Sequence, residues 1–442
     1  MRLAAMDWDD AMVYVRAAHF AACMLTAGVV FFVVFIAPLA SVNGDPANGM
    51  AAFRARLVAT AWSSLALSVV SGVIWLLLTA QSMSGEPLPE VLSQGVIWTV
   101  LTRTEFGHAW LLRLVAGSLL AVTFAALFPT QRKPTRAVAV TAAILAAVFV
   151  GGLAWAGHAI GASGLEGTIH PTADVFHLVA AAAWIGTLPV LALLLAATEH
   201  GALPIAAARA ATLRFSILGI ASVGTLFVTG VINSWYLVGS ISALTETTYG
   251  KLLLLKVALF FCIVAVAAVN RFRFTPRLAG EKTATAALRQ LRRNAVIETL
   301  GGAVILCIVA VLGTLPPASH AHHHAAYGAV PEGASFVHIH TEEGMADVTI
   351  TPGHTGVAHA TIRLWNGDFE TLDARKVTVT LSPPTAGGKP TTRIAVLDSD
   401  GAWQVNRLDL PEPGNWIVTV DAALGPKGDL ILDAPIVIEG ER

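Results

Sequence analysis

Runs of about 20 or more apolar residues recur along the chain, each long enough to cross a hydrocarbon layer about 30 Å thick as a helix. Eight such spans are predicted, at roughly 12–38, 57–80, 106–128, 137–158, 173–197, 214–238, 251–271 and 295–316. Only 13% of the residues are charged and the mean hydropathy is +0.67, which excludes an ordinary water-soluble enzyme. The stretch 88–101 is too short to cross and is expected to be interfacial or re-entrant. Lys and Arg concentrate in alternate connections, the others having almost none: Arg54 and Arg56, then Arg132, Lys133 and Arg136, then Arg209 and Arg214, then seven basic residues from Arg271 to Arg293. Retained cytoplasmic loops carry the positive charge, so this set is expected inside and both termini in the periplasm. The start, with Asp7, Asp9 and Asp10, lacks the basic region of a cleavable signal, and the first span is expected to be retained.

The charge balance divides the chain. Residues 1–317 hold 20 basic against 13 acidic residues, whereas 318–442 hold 8 against 16. After Pro316 and Pro317 a histidine-rich linker, 318–330, leads into a polar segment, 331–442. There, short alternating runs between Gly, Pro and Asp clusters predict seven or eight strands: 336–340, 347–351, 358–365, 377–381, 393–396, 403–408, 416–421 and 430–438. The expected architecture is thus an all-α polytopic membrane bundle, residues 1–317, followed by a periplasmic all-β sandwich. The cysteines, Cys23, Cys262 and Cys307, all lie in apolar runs and imply no disulfide framework.

Several ionisable residues interrupt the spans, where they are costly and usually placed for a reason. His170, Asp174 and His177 have i, i+4, i+7 spacing and share one face of span 5, with Pro171 expected at the first helical position and His170 at the cap. His19, His108 and His158 are expected at similar depth on the periplasmic side. Imidazole and carboxylate together suit divalent transition metals, including copper(II). The bland alternative is that these groups cap helices or hydrogen-bond between them. Thiols near midspan would suit copper(I), although a membrane cysteine is more often a small apolar residue. Arg16 and Lys256 are expected to snorkel, and Glu298 is a candidate polar exit. In the tail, His338 and His340 alternate on one strand face, His354 and His359 follow, and His320, His322, His323 and His324 stand in the linker, a composition that signals metal binding. There is no Walker P-loop, no dinucleotide fingerprint and no nucleophile elbow, so neither enzymatic activity nor ATP-driven pumping by this chain is expected, and no nucleic-acid partner.

The run His170-Pro-Thr-Ala-Asp174-Val-Phe-His177 through Trp184 and Gly186 resembles the signature helix of the bacterial copper resistance protein D (CopD) family. Phe215, Ser216, Thr229, Gly230, Asn233, Trp235, Tyr249 to Leu252, Lys256, Asn270 and Arg271 match it similarly, so that the motifs cover roughly residues 150–310. The resemblance implies an eight-span inner-membrane protein of copper resistance or uptake, often beside a periplasmic copper-binding protein of β-sandwich form. It supplies the word copper; the residues alone point to a histidine-rich metal site. Uptake is the simpler direction, because a positive charge moving inward gains about 2.3 kcal/mol per 100 mV. Two other readings stay open: a b-type haem protein using histidine pairs on facing helices, and a sensor or assembly factor whose bundle anchors the β-domain.

Overall fold

In a computed structural model, the described residues are 8–37, 47–84, 87–93, 95–128, 135–156, 166–280, 282–315, 331, 333–341, 344–366, 371–384, 389–425 and 428–440. They form two compact units, one helical and one of strands.

Eight helices of the first unit are long and apolar enough to cross a membrane. They are span 1 (Ala11–Ile36), span 2 (Gly49–Ser84), span 3 (Glu105–Leu127), span 4 (Arg136–Trp155), span 5 (Thr168–Glu199), span 6 (Ile205–Val238), span 7 (Thr248–Ala279) and span 8 (Ala284–Leu312). Spans 2, 6 and 8 outlast the apolar runs that announce them, because the flanks, rich in alanine and arginine and without proline, continue the helix. The 88–101 stretch folds as two short helices, Leu88–Ser93 and Val96–Arg103, whose Val91 and Val100 bury against Leu76 and Ala80 of span 2.

Span 1 is central: 78% of its apolar window is buried, against 6% for span 7. Lipid tails are as apolar as leucine, so close helix contact here depends on small residues. Span 5 is interrupted after Trp184 and resumes at Leu188, with Thr187 Oγ1 donating to the carbonyls of Ala183 (2.8 Å) and Trp184 (2.9 Å). The break is pressed against span 1, since a Cβ on Gly186 would stand 2.2 Å from the Met24 carbonyl oxygen and one on Gly28 would stand 2.1 Å from the Gly186 carbonyl. The first half of span 5 starts earlier than the sequence suggests, at Glu166, so Pro171 lies inside the helix and His170 is a helical residue rather than a cap.

Arg16 does not snorkel. It is buried in span 1, stacks over Trp75 at 5.3 Å and donates from Nη1 to the Gly313 carbonyl at 2.6 Å. The end of span 8 offers an unpaired carbonyl, and a bare glycine there leaves room for the guanidinium.

The second unit has eight antiparallel strands: β1 (Ser335–His340), β2 (Met345–Thr351), β3 (Gly356–Trp365), β4 (Lys376–Ser382), β5 (Thr391–Leu397), β6 (Trp403–Leu410), β7 (Gly414–Ala423) and β8 (Asp429–Ile438). Their order is β1-β2-β3-β6-β5-β4-β7-β8, and β5 pairs with both β4 and β6, which makes the sandwich continuous and barrel-like. Alternate residues, among them Val348, Ile350, Ile362, Val379, Trp416, Val418 and Leu432, fill the interior.

Gly186→Val should lower the yield of monodisperse protein and the melting temperature in detergent, since overpacking against a backbone costs about 1–3 kcal/mol or more. Gly224→Ala, in span 6 with nothing within 4 Å of the added Cβ, should leave both unchanged.

Candidate functional site

Three polar clusters lie inside the helical unit, each built across different spans. The first joins spans 1 to 4. His19 and Cys23, one turn apart on span 1, face Arg113 of span 3, whose Nη2 donates to His19 Nε2 (2.6 Å) and to Cys23 Sγ (3.2 Å). Arg113 Nε donates to the Phe149 carbonyl of span 4 at 3.2 Å. A guanidinium only donates, so His19 Nε2 is an acceptor, Nδ1 carries the hydrogen, and it donates to Ser71 Oγ of span 2 at 3.0 Å. Trp75 meets the imidazole edge-on at 5.3 Å. Gly152 makes room for the arginine stem, because a Cβ there would fall 2.6 Å from Arg113 Cγ. Both ring nitrogens of His19 are therefore engaged, one of them by a fixed positive charge.

The second cluster pairs span 5 with span 6. His170, Asp174 and His177 face Tyr236, Asn233 and Thr229, two antiparallel i, i+3/4, i+7 ladders meeting rung by rung. His170, buried at 6% exposure, stacks on Tyr236 with ring centroids 5.2 Å apart. Asn233 Nδ2 donates to Asp174 Oδ1 at 3.0 Å. His177 Nδ1 lies 2.9 Å from Thr229 Oγ1, and that hydroxyl donates to the Thr225 carbonyl at 2.7 Å. With its one hydrogen so used, Thr229 accepts from His177 Nδ1, which leaves Nε2 as the ring nitrogen with a lone pair available to a ligand. Asn233 Oδ1 is buried without a hydrogen-bond partner among the described residues. Lys256 of span 7 lies within electrostatic range of Asp174 and His177, and Tyr249 within that of Asp174. The third cluster surrounds Glu298 of span 8, whose Oε1 accepts from Asn270 at 2.6 Å.

The sequence-predicted ligands are therefore not all brought together. His170, Asp174 and His177 share one surface, whereas His19 belongs to the Arg113 cluster. His108 is exposed at the first turn of span 3, 3.1 Å from the Thr102 carbonyl and 4.0 Å from Glu105. His158 lies outside the described residues. Cys23 is buried, but Cys262 and Cys307 are exposed on the bundle surface, so the three thiols do not converge. Among the described residues, no three His, Cys, Asp or Glu side chains stand close enough to hold a metal ion. The fit for a cation at the second cluster rests on mixed donors: the His177 nitrogen, Asp174 and the unpartnered amide oxygen of Asn233.

In the β unit, His338 Nδ1 lies 2.6 Å from Asp347 Oδ1 across the β1–β2 pair. His340 pairs in register with Met345, its side chain being outside the described residues, as are His320, His322, His323 and His324 of the linker. His354 Nδ1 donates to the Thr355 carbonyl at 2.9 Å, and His359 is exposed.

Sequence reasoning missed Tyr236 as a site residue. The signal was present, because a second i, i+4, i+7 polar set on the next span mirrors the first when the two helices run antiparallel. It also missed Ser71 and Trp75, which carry no such signal: only packing brings them to His19.

Two family models match this chain, copper resistance protein D-like N-terminal domain over residues 5–168 and copper resistance protein D over residues 209–312. "Copper resistance protein D" of Pseudomonas syringae pv. tomato is 32% identical over 321 residues, 70% of this chain and 97% of that protein. "Inner membrane protein YebZ" of Escherichia coli K12 is 29% identical over 302 residues, 68% of this chain and 97% of its own length. "Copper transport protein CutJ" of Bacillus subtilis 168 is 25% identical over 389 residues, 84% of this chain and 65% of that protein. With the N-terminal match ending just before the span 5 ladder and the second covering spans 6 to 8, the chain belongs to the copper resistance protein D family of copper resistance and transport membrane proteins.

Proposed function

We propose that this protein moves copper from periplasm to cytoplasm across the inner membrane, and that the span 5–span 6 ladder is where the ion enters. The observation that supports the reading is the Thr229-held tautomer of His177, which leaves its Nε2 lone pair unprotonated on the helix face that also carries Asp174, opposite the unpartnered Asn233 oxygen. A hydrogen bond to the far nitrogen is the usual means by which a protein orients a metal-binding imidazole. His170 and His158 are the proposed further ligands. Lys256 serves as the resident counter-charge of Asp174 until a cation takes its place.

Loop charge supports N- and C-termini in the periplasm, which sets the start of span 5 on the outer side. The similarity to an inner membrane protein, YebZ, and to a copper transport protein, CutJ, lends support to the inner membrane and to copper as cargo. The inside-negative potential favours inward movement of a cation, about 2.3 kcal/mol per charge per 100 mV, without nucleotide hydrolysis. The β unit, 331–442, with the linker 318–330, is proposed to capture copper before entry; its net acidic charge raises the local cation concentration. A separate periplasmic copper-binding protein is a candidate donor. His19 is the weaker ligand candidate, since a copper ion there has to displace Arg113.

A His170→Ala/His177→Ala double variant should reduce copper accumulation in cells or liposomes to the level of empty controls at normal expression. Thr229→Val should weaken copper binding by about 10–100-fold, the usual cost of losing an orienting partner. Wild-type accumulation by a well-expressed double variant would sink the entry-site reading.

The full chain should bind copper(II) with nitrogen ligation visible by electron paramagnetic resonance. Replacing His338, His340 and the four linker histidines by Ala should lower the amount of copper(II) bound and the intensity of that signal while leaving span 5 intact, and an unchanged copper(II) affinity speaks against capture by the β unit.

A further inference from the structure

Glu298 is 1% exposed in the middle of span 8. Its Oε1 accepts from Asn270 Nδ2 (2.6 Å), Asn270 Oδ1 accepts from Asn294 Nδ2 (2.6 Å), and Asn294 Oδ1 accepts from Gln290 Nε2 (2.8 Å). Its Oε2 is buried with no hydrogen-bond partner among the described residues. The amide orientations are set from the carboxyl end, because an ionised carboxylate only accepts and each amide in turn must present its oxygen to the next. Three amide dipoles consequently point their positive ends toward Glu298.

The backbone is arranged for this contact. Asn270 opens a π-helical turn, Asn270–Phe274, in which its carbonyl accepts from both the Thr275 amide (2.9 Å) and Thr275 Oγ1 (2.8 Å). Such turns cost regular hydrogen bonding and gather at functional positions.

Charged groups on the neighbouring elements are engaged elsewhere. Arg16 is held by Gly313, Arg214 by the Ile36 carbonyl and Arg271 by Ser216. Arg273 and Arg277 lie over the Phe274 ring, and Glu199 pairs with Arg289 and Arg292. Lys256 serves Asp174, while Lys251, Lys282 and Arg293 are exposed. Among the described residues no cation pairs with Glu298. An ionised carboxylate with one bare oxygen in apolar surroundings is expensive, yet the aligned amides favour the anion. A proton on Oε2 removes the charge and leaves Oε1 free to keep accepting from Asn270. Both states are therefore accommodated by one geometry, and the ligand that fits a single orphan oxygen is a proton rather than a metal ion, which needs several converging donors.

We propose that Glu298 is a reversible proton-binding site of the bundle, exchanging one proton with water at Oε2 and connected through Asn270, Asn294 and Gln290 to the Ala284 end of span 8. The inference does not depend on copper binding at span 5.

The test is infrared difference spectroscopy of the full chain in lipid vesicles, titrated over about pH 4 to 9, the range in which buried glutamates take up protons. Wild type should gain a carboxylic-acid carbonyl band on acidification. That band should shift on 13C-glutamate labelling, disappear in Glu298→Gln and persist in Asp174→Asn. A band of undiminished size in Glu298→Gln, or no glutamate band that titrates, would overturn the proposal. Should Glu298→Gln fail to accumulate, Asn270→Ala serves: losing the donor to Oε1 should raise the band's midpoint by about one pH unit, and an unmoved midpoint would contradict the site.

Discussion

Inside a hydrocarbon layer a polar side chain has no water to turn to, so each one must find its partner within the protein: a hydroxyl can use a carbonyl of its own helix, but a longer or charged group reaches another. This requirement organises the bundle. Arg16 reaches the open carbonyl of Gly313, Arg113 bridges His19, Cys23 and Phe149, and Asn233 meets Asp174. These contacts join different helices, and small residues make room for some of them, Gly313 for Arg16 and Gly152 for Arg113. The Gly28–Gly186 contact likewise brings backbone against backbone and holds the interrupted span 5 against the central span 1.

The same rule separates two clusters that look alike in sequence. Both contain a histidine with a titratable neighbour one turn away, His19 with Cys23 and His177 with Asp174. Around His19 the partner that packing supplies is an arginine, which saturates the imidazole and adds a positive charge. Around His177 the partner is a threonine, which fixes the tautomer and leaves Nε2 unprotonated beside a carboxylate and an amide on the same ladder. The first environment holds an arginine directly on the imidazole, whereas the second leaves the imidazole's other nitrogen unprotonated. For this reason the proposed entry site lies at span 5 and not at the more deeply buried His19.

The β unit follows different physics. Water satisfies its outer face, so alternation of period two suffices to define the strands, and all eight appear where the pattern puts them. The closure of its two layers through β5 is not written in that alternation. It arises because β5 runs alongside β4 over Thr391–Ala395 and then pairs with β6 through Val396 and Leu397.

The number, position and type of the elements were legible in the sequence, since span length is fixed by membrane thickness and strand alternation by the pleat, both local properties. The one-face spacing of His170, Asp174 and His177 was legible for the same reason. What faces that surface was not: Tyr236, Asn233 and Thr229 lie 52 to 66 positions away, and only antiparallel packing of spans 5 and 6 sets them rung against rung. Nor did depth in the membrane assign partners, for His19, His108 and His177 share an expected depth yet meet an arginine, the protein surface and a threonine. Sequence periodicity determines which side of a helix is polar; which neighbour meets that side is decided by how helices rotate and approach, a property of the whole packed bundle.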